Sequence, residues 1–304
     1  MIYKKYINEN KVKGGYFNMY SIFEKFADSE ELLQDSLITF GPPCSDDKTN
    51  GIKITMWETT RLRLNDALLL NKHKAIFVPS ESIKKVFIES GVTRPIEVFD
   101  GFIDDVYTYQ PHKNKNKLIF GLGFNKSLTR KNEINTIDYF LEAFEGVDDV
   151  ELWIKTDQVV NTEDNEKIKI FYDVYSNEQM VDWYSNLDVF ISLSKGEGIG
   201  MFNLESMAIG RSLIANPFLT VQDYLNDQNG YLLDYDLVRP KELFYFDCGR
   251  WSSSKKESVI NTFKQAYNNK HLIKEKGVLA SKTAEKYKAS IAVPKLIQKL
   301  KQYV

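Results

Sequence analysis

Short apolar runs alternate along this chain with stretches whose apolar residues recur every third or fourth position. The first pattern fits buried strands and the second fits amphipathic helices. In the first third, MIYKKYI, SLITF, GIKITMW, KAIFVPS and PIEVFDG read as strands. SIFEKFADSEELLQDS, the segment from about 59 to 72, and SESIKKVFIESG read as helices, the last stopping at Gly91 with Pro95 just beyond. Past residue 117 the alternation sharpens. LIFGLGF, ELWIKT, IKIFYDV, DVFISLS and SLIANP are strand-like. Between them, residues 132 to 145 place Ile137, Phe140, Leu141 and Phe144 at core spacing, and NEQMVDWYSNL and the residues after Gly200 follow the helical period. The lysine-rich tail reads as helix to the end.

Strand and helix in alternation mean βαβ units and a parallel sheet. The polar HKNKNK, residues 112 to 117, follows Pro111 and separates two such sets, which puts a boundary near 105 to 117. The expected architecture is α/β, with two facing Rossmann-like domains. Residues 1–110 form a shortened N-terminal one, residues 117–280 form a C-terminal one, and the 281–304 helix packs back across their interface. Ligands of such folds bind outside the carboxyl ends of the strands, so the turns after strands are the places to search.

Composition narrows the class. The 304 residues are 43% hydrophobic and 27% charged, with a formal net charge of −2, an ordinary globular balance without a global basic field. Cys44 and Cys248 stand alone, which reads as free thiols in a reducing compartment. The start, MIYKKYINENK, has no apolar core for a signal peptide, and no apolar run approaches the roughly 18 residues of a membrane span. A cytoplasmic location is therefore expected, the cytoplasm being a host's if the chain is viral. His73, His112 and His271 are scattered with no ligand spacing, so no metal site is expected. No G-x-S-x-G and no P-loop pattern occurs.

Three turns carry chemistry. KGEGIG follows DVFISLS and opens a helix in which Leu204, Met207 and Ala208 face the sheet, with Gly210 at its end. Glycines let backbone approach a ligand, and unpaired N–H groups at a helix start favour an anion such as phosphate. Glu205, in the first turns of that helix, can accept two hydrogen bonds from a ribose diol, and Glu197, in the turn, can reach hydroxyls of a sugar beyond the phosphates. On composition alone the same residues also fit a plain tight βα turn. The second turn, GLGFNKSLTRKN, sets Arg130 and Lys131 at a helix start, where two cations oppose the helix dipole, a local conflict of the kind functional sites show. A solvated charge pair is the plain alternative. The third place is Lys155, closing ELWIKT, where a strand-end lysine can point into a cleft. Gly14 and Gly15, before a helix, fit a second phosphate-side loop or a simple turn.

SLSKGEGIGMFNLESMAIGRSLIAN resembles the donor-site motif of family 4 retaining glycosyltransferases, whose hallmark is E-x7-E, met here by Glu197 and Glu205 and followed by NGYLLD. VPSESIKKVFIESGV, SNEQMVDWYSNLDVFISLS and MWETTRL are similar to other stretches of that family. The resemblance covers roughly residues 52 to 235. It implies the GT-B fold and transfer of a sugar from a nucleotide diphosphate to a hydroxyl with retained anomeric configuration. It assigns Arg130, Lys155 and Glu197 to catalysis, with Lys131, Gly198, Ile199, Gly200, Met201, Phe202, Glu205 and Gly15 around the donor. It implies no cofactor beyond that donor, a UDP-sugar being favoured, and no metal. The acceptor side is short and lacks the family's usual histidine. A glycan, a lipid-linked saccharide, a protein or a hydroxylated base in DNA all remain open as acceptor. A catalytically inactive nucleotide-sugar-binding protein is the rival from another class, and the missing G-x-G-x-x-G argues against a dehydrogenase or epimerase.

Overall fold

The structure, a computed structural model, describes residues 21–23, 38–44, 50–125, 129–160 and 165–304. The strand expected over MIYKKYI, all but Ser21–Phe23 of the first expected helix, and Gly14 and Gly15 lie outside the described residues.

Four short parallel strands make the first sheet: β1 (Ile38–Phe40), β2 (Ile52–Ile54), β3 (Ala75–Val78) and β4 (Ile96–Val98), paired in that order. Helix α1 (Leu64–Leu70) links β2 to β3, and α2 (Glu81–Glu89) links β3 to β4. Helix α2 starts where the Ser80 hydroxyl accepts the Ile83 N–H at 3.1 Å and stops before Gly91, whose φ of +96° a side chain would resist. Helix α1 is shorter than the 59–72 reading. Residues 57–62 instead form a loop, in which the Trp57 indole and the Thr59 hydroxyl both donate to the Arg61 carbonyl at 2.9 Å. Those bonds satisfy the chain locally, in competition with helix.

The second sheet is larger. Its strands are β5 (Leu118–Phe124), β6 (Val150–Thr156), β7 (Ile168–Tyr172), β8 (Val189–Ser192), β9 (Ser212–Ala215) and β10 (Gly230–Leu232), all parallel in the order β10-β9-β8-β5-β6-β7. Between them run α3 (Glu133–Ala143), α4 (Asn177–Ser185) and α5 (Met201–Ala208). Ser176 and Gln179 form a reciprocal capping box at the start of α4. A separate antiparallel hairpin, β11 (Tyr235–Val238) with β12 (Trp251–Ser254), follows. The lysine-rich tail is helical, in three segments: α6 (Lys256–Asn268), α7 (Lys270–Ala284) and α8 (Ala289–Leu300).

Apolar periodicity becomes core as expected. Phe120, Phe140, Phe144 and Phe263 meet on one face of the second sheet, with ring centroids of Phe120 and Phe144 5.4 Å apart. The chain's last helix reaches back to the first sheet, and the linker between the sheets is anchored on the second. Helix α8 lies against the first sheet. The buried Leu296, Ile297 and Leu300 share a cluster with Phe77, Phe99 and Phe102, and the Tyr303 hydroxyl donates to Glu97 at 2.7 Å. The HKNKNK stretch is a strap pinned to the second unit through His112 and Lys115, while Lys113, Asn114, Asn116 and Lys117 are exposed. The buried His112 ring sits 3.3 Å from Asp188 and 3.2 Å from the Gly210 carbonyl, and the Lys115 ammonium donates to Asp188 at 2.8 Å. Asp188 also accepts the Ile119 N–H at 2.8 Å, so one buried carboxylate collects the polar groups of the strap. No helix among the described residues is long and apolar enough to cross a membrane.

Candidate functional site

The site is built where β8 ends. Residues 193–200 turn back over the sheet and feed α5 at Gly200, whose φ is +79°. A Cβ on Gly200 would also meet the Tyr224 hydroxyl at 2.5 Å, so both conformation and space demand glycine there. Gly196 has a different reason. A Cβ on it would lie 2.1 Å from the backbone carbonyl of Glu58, in the loop of the first unit. The glycines of the turn thus admit the other unit's backbone as well as leaving α5 without a side-chain cap over its first amides.

Arg130 and Lys131 approach from the loop after β5. The Arg130 guanidinium is buried. Its Nη1 donates to the Gly196 carbonyl at 2.6 Å, and its Nη2 lies 3.2 Å from the Glu58 carboxylate. Its backbone N–H donates to the Glu242 carboxylate at 3.0 Å. Burial works against this charge, but Glu58 and Glu197 overcome it and lift the guanidinium above its ordinary value. The Lys131 ammonium donates to Glu197 at 2.5 Å. Burial alone would raise the Glu197 carboxyl, yet Lys131 and Arg130 hold it below its usual value. A small hollow opens between Lys131, Ser194, Glu197, Gly200, Phe202 and Asn203. Its wall depends on Gly123 of β5, because a Cβ there would lie 2.6 Å from the Phe202 ring.

Glu205 lies one turn further along α5, buried, and accepts from the Tyr184 hydroxyl at 2.8 Å. Burial pushes its carboxyl up to about 7, against the pull of that hydroxyl. The Tyr107 ring stands 6.1 Å from Tyr184, edge to face.

The structure therefore gathers Arg130, Lys131, Glu197 and the 198–202 segment in one place, with Glu205 beside it on the same helix. Lys155 is set apart. It pairs in register with Gly123, but its buried ammonium donates to the Asp173 carbonyl and stands 4.4 Å over the Tyr175 ring. Burial lowers its ammonium. Gly15 lies outside the described residues. Glu58 and Tyr245 join the cluster without having been assigned to it from the sequence. The Tyr245 hydroxyl donates to Glu58, which in turn holds Arg130. Glu58 stands in the MWETTRL stretch, so its location was visible and its partner was not. Tyr245 sits in an irregular segment with no pattern to flag it.

Residues 121–242 match the family described as Glycosyl transferases group 1. No curated protein sequence matches the chain. In fold the chain is similar to TarM of S. aureus, at 16% identity and a TM-score of 0.66, over 91% of this chain and 57% of TarM. It is similar to a glycosyltransferase from Rickettsia africae, at 13% identity and a TM-score of 0.65, over 96% of this chain and 83% of that one. It is also similar to Anabaena HepE solved with UDP and glucose, at 12% identity and a TM-score of 0.64, over 83% of this chain and 72% of HepE. The chain thus spans little more than half the length of TarM. These likenesses establish the GT-B fold, two Rossmann-like sheets meeting at a cleft.

Proposed function

We propose that the chain transfers a sugar from a nucleotide diphosphate, a UDP-sugar by preference, to a hydroxyl of a large acceptor, with retention of anomeric configuration and without a metal. The observation that carries this reading is the contact of Lys131 with Glu197 in the hollow at the start of α5. A cation for phosphate, a carboxylate for sugar hydroxyls and the amides of a helix start share one small space. The match of residues 121–242 and the presence of UDP in the similar HepE structure support it.

In this reading the donor's pyrophosphate takes the Lys131 ammonium and the first amides of α5, which releases Glu197 to the hydroxyls of the sugar. As the bond to the anomeric carbon breaks, negative charge grows on the leaving phosphate, where the cation and the fixed N–H dipoles already stand. Arg130 acts through the turn. Its bond to the Gly196 carbonyl fixes the backbone that presents Glu197 and the amides. Lys155 faces the 173–175 loop and serves the nucleotide side of the donor. Glu205, paired with Tyr184, receives the ribose. The leaving phosphate can take the acceptor's proton, so no separate protein base is required.

Thermal melting against a panel of nucleotide diphosphates and their sugars tests this reading, because a ligand of the native state raises the melting temperature. UDP and at least one UDP-sugar are expected to stabilise the chain. A panel in which no nucleotide diphosphate shifts the melt would remove the proposal.

A further inference from the structure

Along β6, Leu152 and Ile154 enter the phenylalanine core, so Glu151, Trp153 and Lys155 share the opposite face of the second sheet. Between that face of β6, the edge strand β7 and helix α4 lies a groove of about 420 Å³, a size that suits a small molecule. Its aromatic residues are Trp153, Phe171, Tyr175 and Trp183, with the rings of Trp153 and Phe171 5.0 Å apart. Its polar residues, Glu178, Gln179, Asp182 and Asn186, follow one flank of α4 at helical spacing. None of these residues lines the hollow at the start of α5. Tyr184, next to Trp183, does reach Glu205, so one helix serves both places.

The polar wall is held in place and still has capacity. The Gln179 carbonyl oxygen accepts the Ser176 N–H at 2.8 Å in the capping box, which keeps the amide amino group as a donor. The Ser176 hydroxyl donates to one Glu178 oxygen at 2.8 Å, and a carboxylate has two. Asp182 is exposed, with the Lys113 ammonium at 3.9 Å. Asn186 is fixed between Lys113, from which it accepts at 2.9 Å, and the Asp182 carbonyl, to which it donates at 2.8 Å. Trp183 is 3% exposed, and its indole N–H has no partner among the described residues. A buried donor left so is costly, and a ligand oxygen at the groove floor would relieve it.

The groove's own charges narrow the choice of occupant. Lys169 stands 5.5 Å over the Trp153 ring and Lys155 4.4 Å over that of Tyr175, so two of the four rings already face a cation and a cationic ligand would be repelled. The carboxylates of Glu178 and Asp182 on the facing wall turn away an anion. A wholly apolar ligand would strip water from those carboxylates and return no hydrogen bond. An uncharged molecule with an apolar face and a rim of groups that both donate and accept meets every condition. A pyranose has this form, with C–H bonds for the negative ring faces and hydroxyls for Gln179, Glu178, Asp182 and the Trp183 N–H. We propose that this groove binds an uncharged saccharide. The proposal stands on the groove alone and is independent of the transfer chemistry in the cleft.

Saturation-transfer NMR on the full chain tests it, with the methyl glycosides of glucose, galactose, mannose and N-acetylglucosamine as probes. At least one is expected to bind saturably, with a dissociation constant of about 1–10 mM. Trp153→Ala is expected to weaken that binding at least about tenfold, through loss of the ring that carries the sugar face. Trp183→Phe keeps a ring and removes the N–H, and is expected to weaken it about fivefold. Asp182→Ala, at an exposed position that does not bear on folding, is expected to weaken it by about the same factor. Failure of all four glycosides to bind overturns the proposal, as does binding that Trp153→Ala and Asp182→Ala leave unchanged. Tighter binding of tetramethylammonium or glucuronate than of any glycoside overturns it too. Displacement of the bound glycoside by UDP would also overturn it, and would assign the groove to the nucleotide of the donor.

Discussion

The buried Glu197 carboxylate is balanced by Lys131 at 2.5 Å and by Arg130 at 3.7 Å, so removing Lys131 takes away the nearer of its two cations. Lys131→Ala removes the cation proposed for phosphate and leaves Glu197, facing the same anion, with only the Arg130 guanidinium at 3.7 Å. Its affinity for UDP by calorimetry is expected to drop at least tenfold, and unchanged affinity would take Lys131 out of the donor site. Glu205 gives a pH signature. Its unfolded carboxyl titrates near 4.5 and its folded one near 7. Between those values the folded state holds a proton that the unfolded state has released, so stability is greatest at acid pH and falls as pH rises through the window. The loss is on the order of 3 kcal/mol. Urea titrations at a series of pH values are expected to show this decline in the parent and its absence in Glu205→Gln. Equal pH slopes in the two proteins would show that the Glu205 site does not carry it. Glu197 and Glu205 could both be singled out because the turn and helix that hold them form a local pattern, and that pattern resembles the E-x7-E motif. The pairing of Arg130 with Glu58 could not be, because it depends on two loops far apart in sequence meeting across the cleft.

Elements were easier to read than the contacts between them. Strands such as β5, β6, β8 and β9 are continuous apolar runs because a parallel sheet buries both faces, and they stand where those runs predict. The 59–72 reading overshot because the side chains of Trp57 and Thr59 satisfy the backbone locally and the helix waits until Leu64. The lysine-rich tail is helical as read, but it is divided at Asn269, whose φ of −127° breaks the helical path, and again before Ala289, so the helix read over 281–304 spans the end of α7 and all of α8. At 112–117, read as a polar linker, the structure adds two anchors the pattern does not show, His112 and Lys115 on the buried Asp188. The turn glycines support a sharper test at this scale. Gly196→Ala sets a methyl group against a backbone carbonyl of the other unit, which cannot move as a side-chain tip can. A destabilisation of about 1–3 kcal/mol is expected in urea titration. Gly123→Ala instead pushes on the Phe202 ring, and is expected to weaken UDP binding more than it lowers the melting temperature. A melting loss with UDP affinity intact would detach Phe202 from the donor site.

The two units are joined by a chain of charges running from Tyr245 through Glu58 and Arg130 to Glu197 and Lys131. Neighbours in such a network do not contribute independently. A double-mutant cycle of Glu58→Gln and Arg130→Met is expected to show a coupling of about 0.5–3 kcal/mol in stability. Additive effects would mean that the units dock without this contact. The overall division into two α/β layers was visible as repeated alternation, but which surfaces face each other was not, because burial patterns report that a residue is covered and not by what. Helix α8 shows what this means for how the molecule is made. The core beneath Phe77 and Phe99 is sealed by Leu296 and Leu300, and Glu97 waits for a tyrosine 206 residues later in the chain. On the ribosome that interval lasts roughly 10 to 40 s. Through it, the first sheet stands with an open apolar flank, so nascent chains should be captured by chaperones and cut by proteases until the final helix emerges to close it.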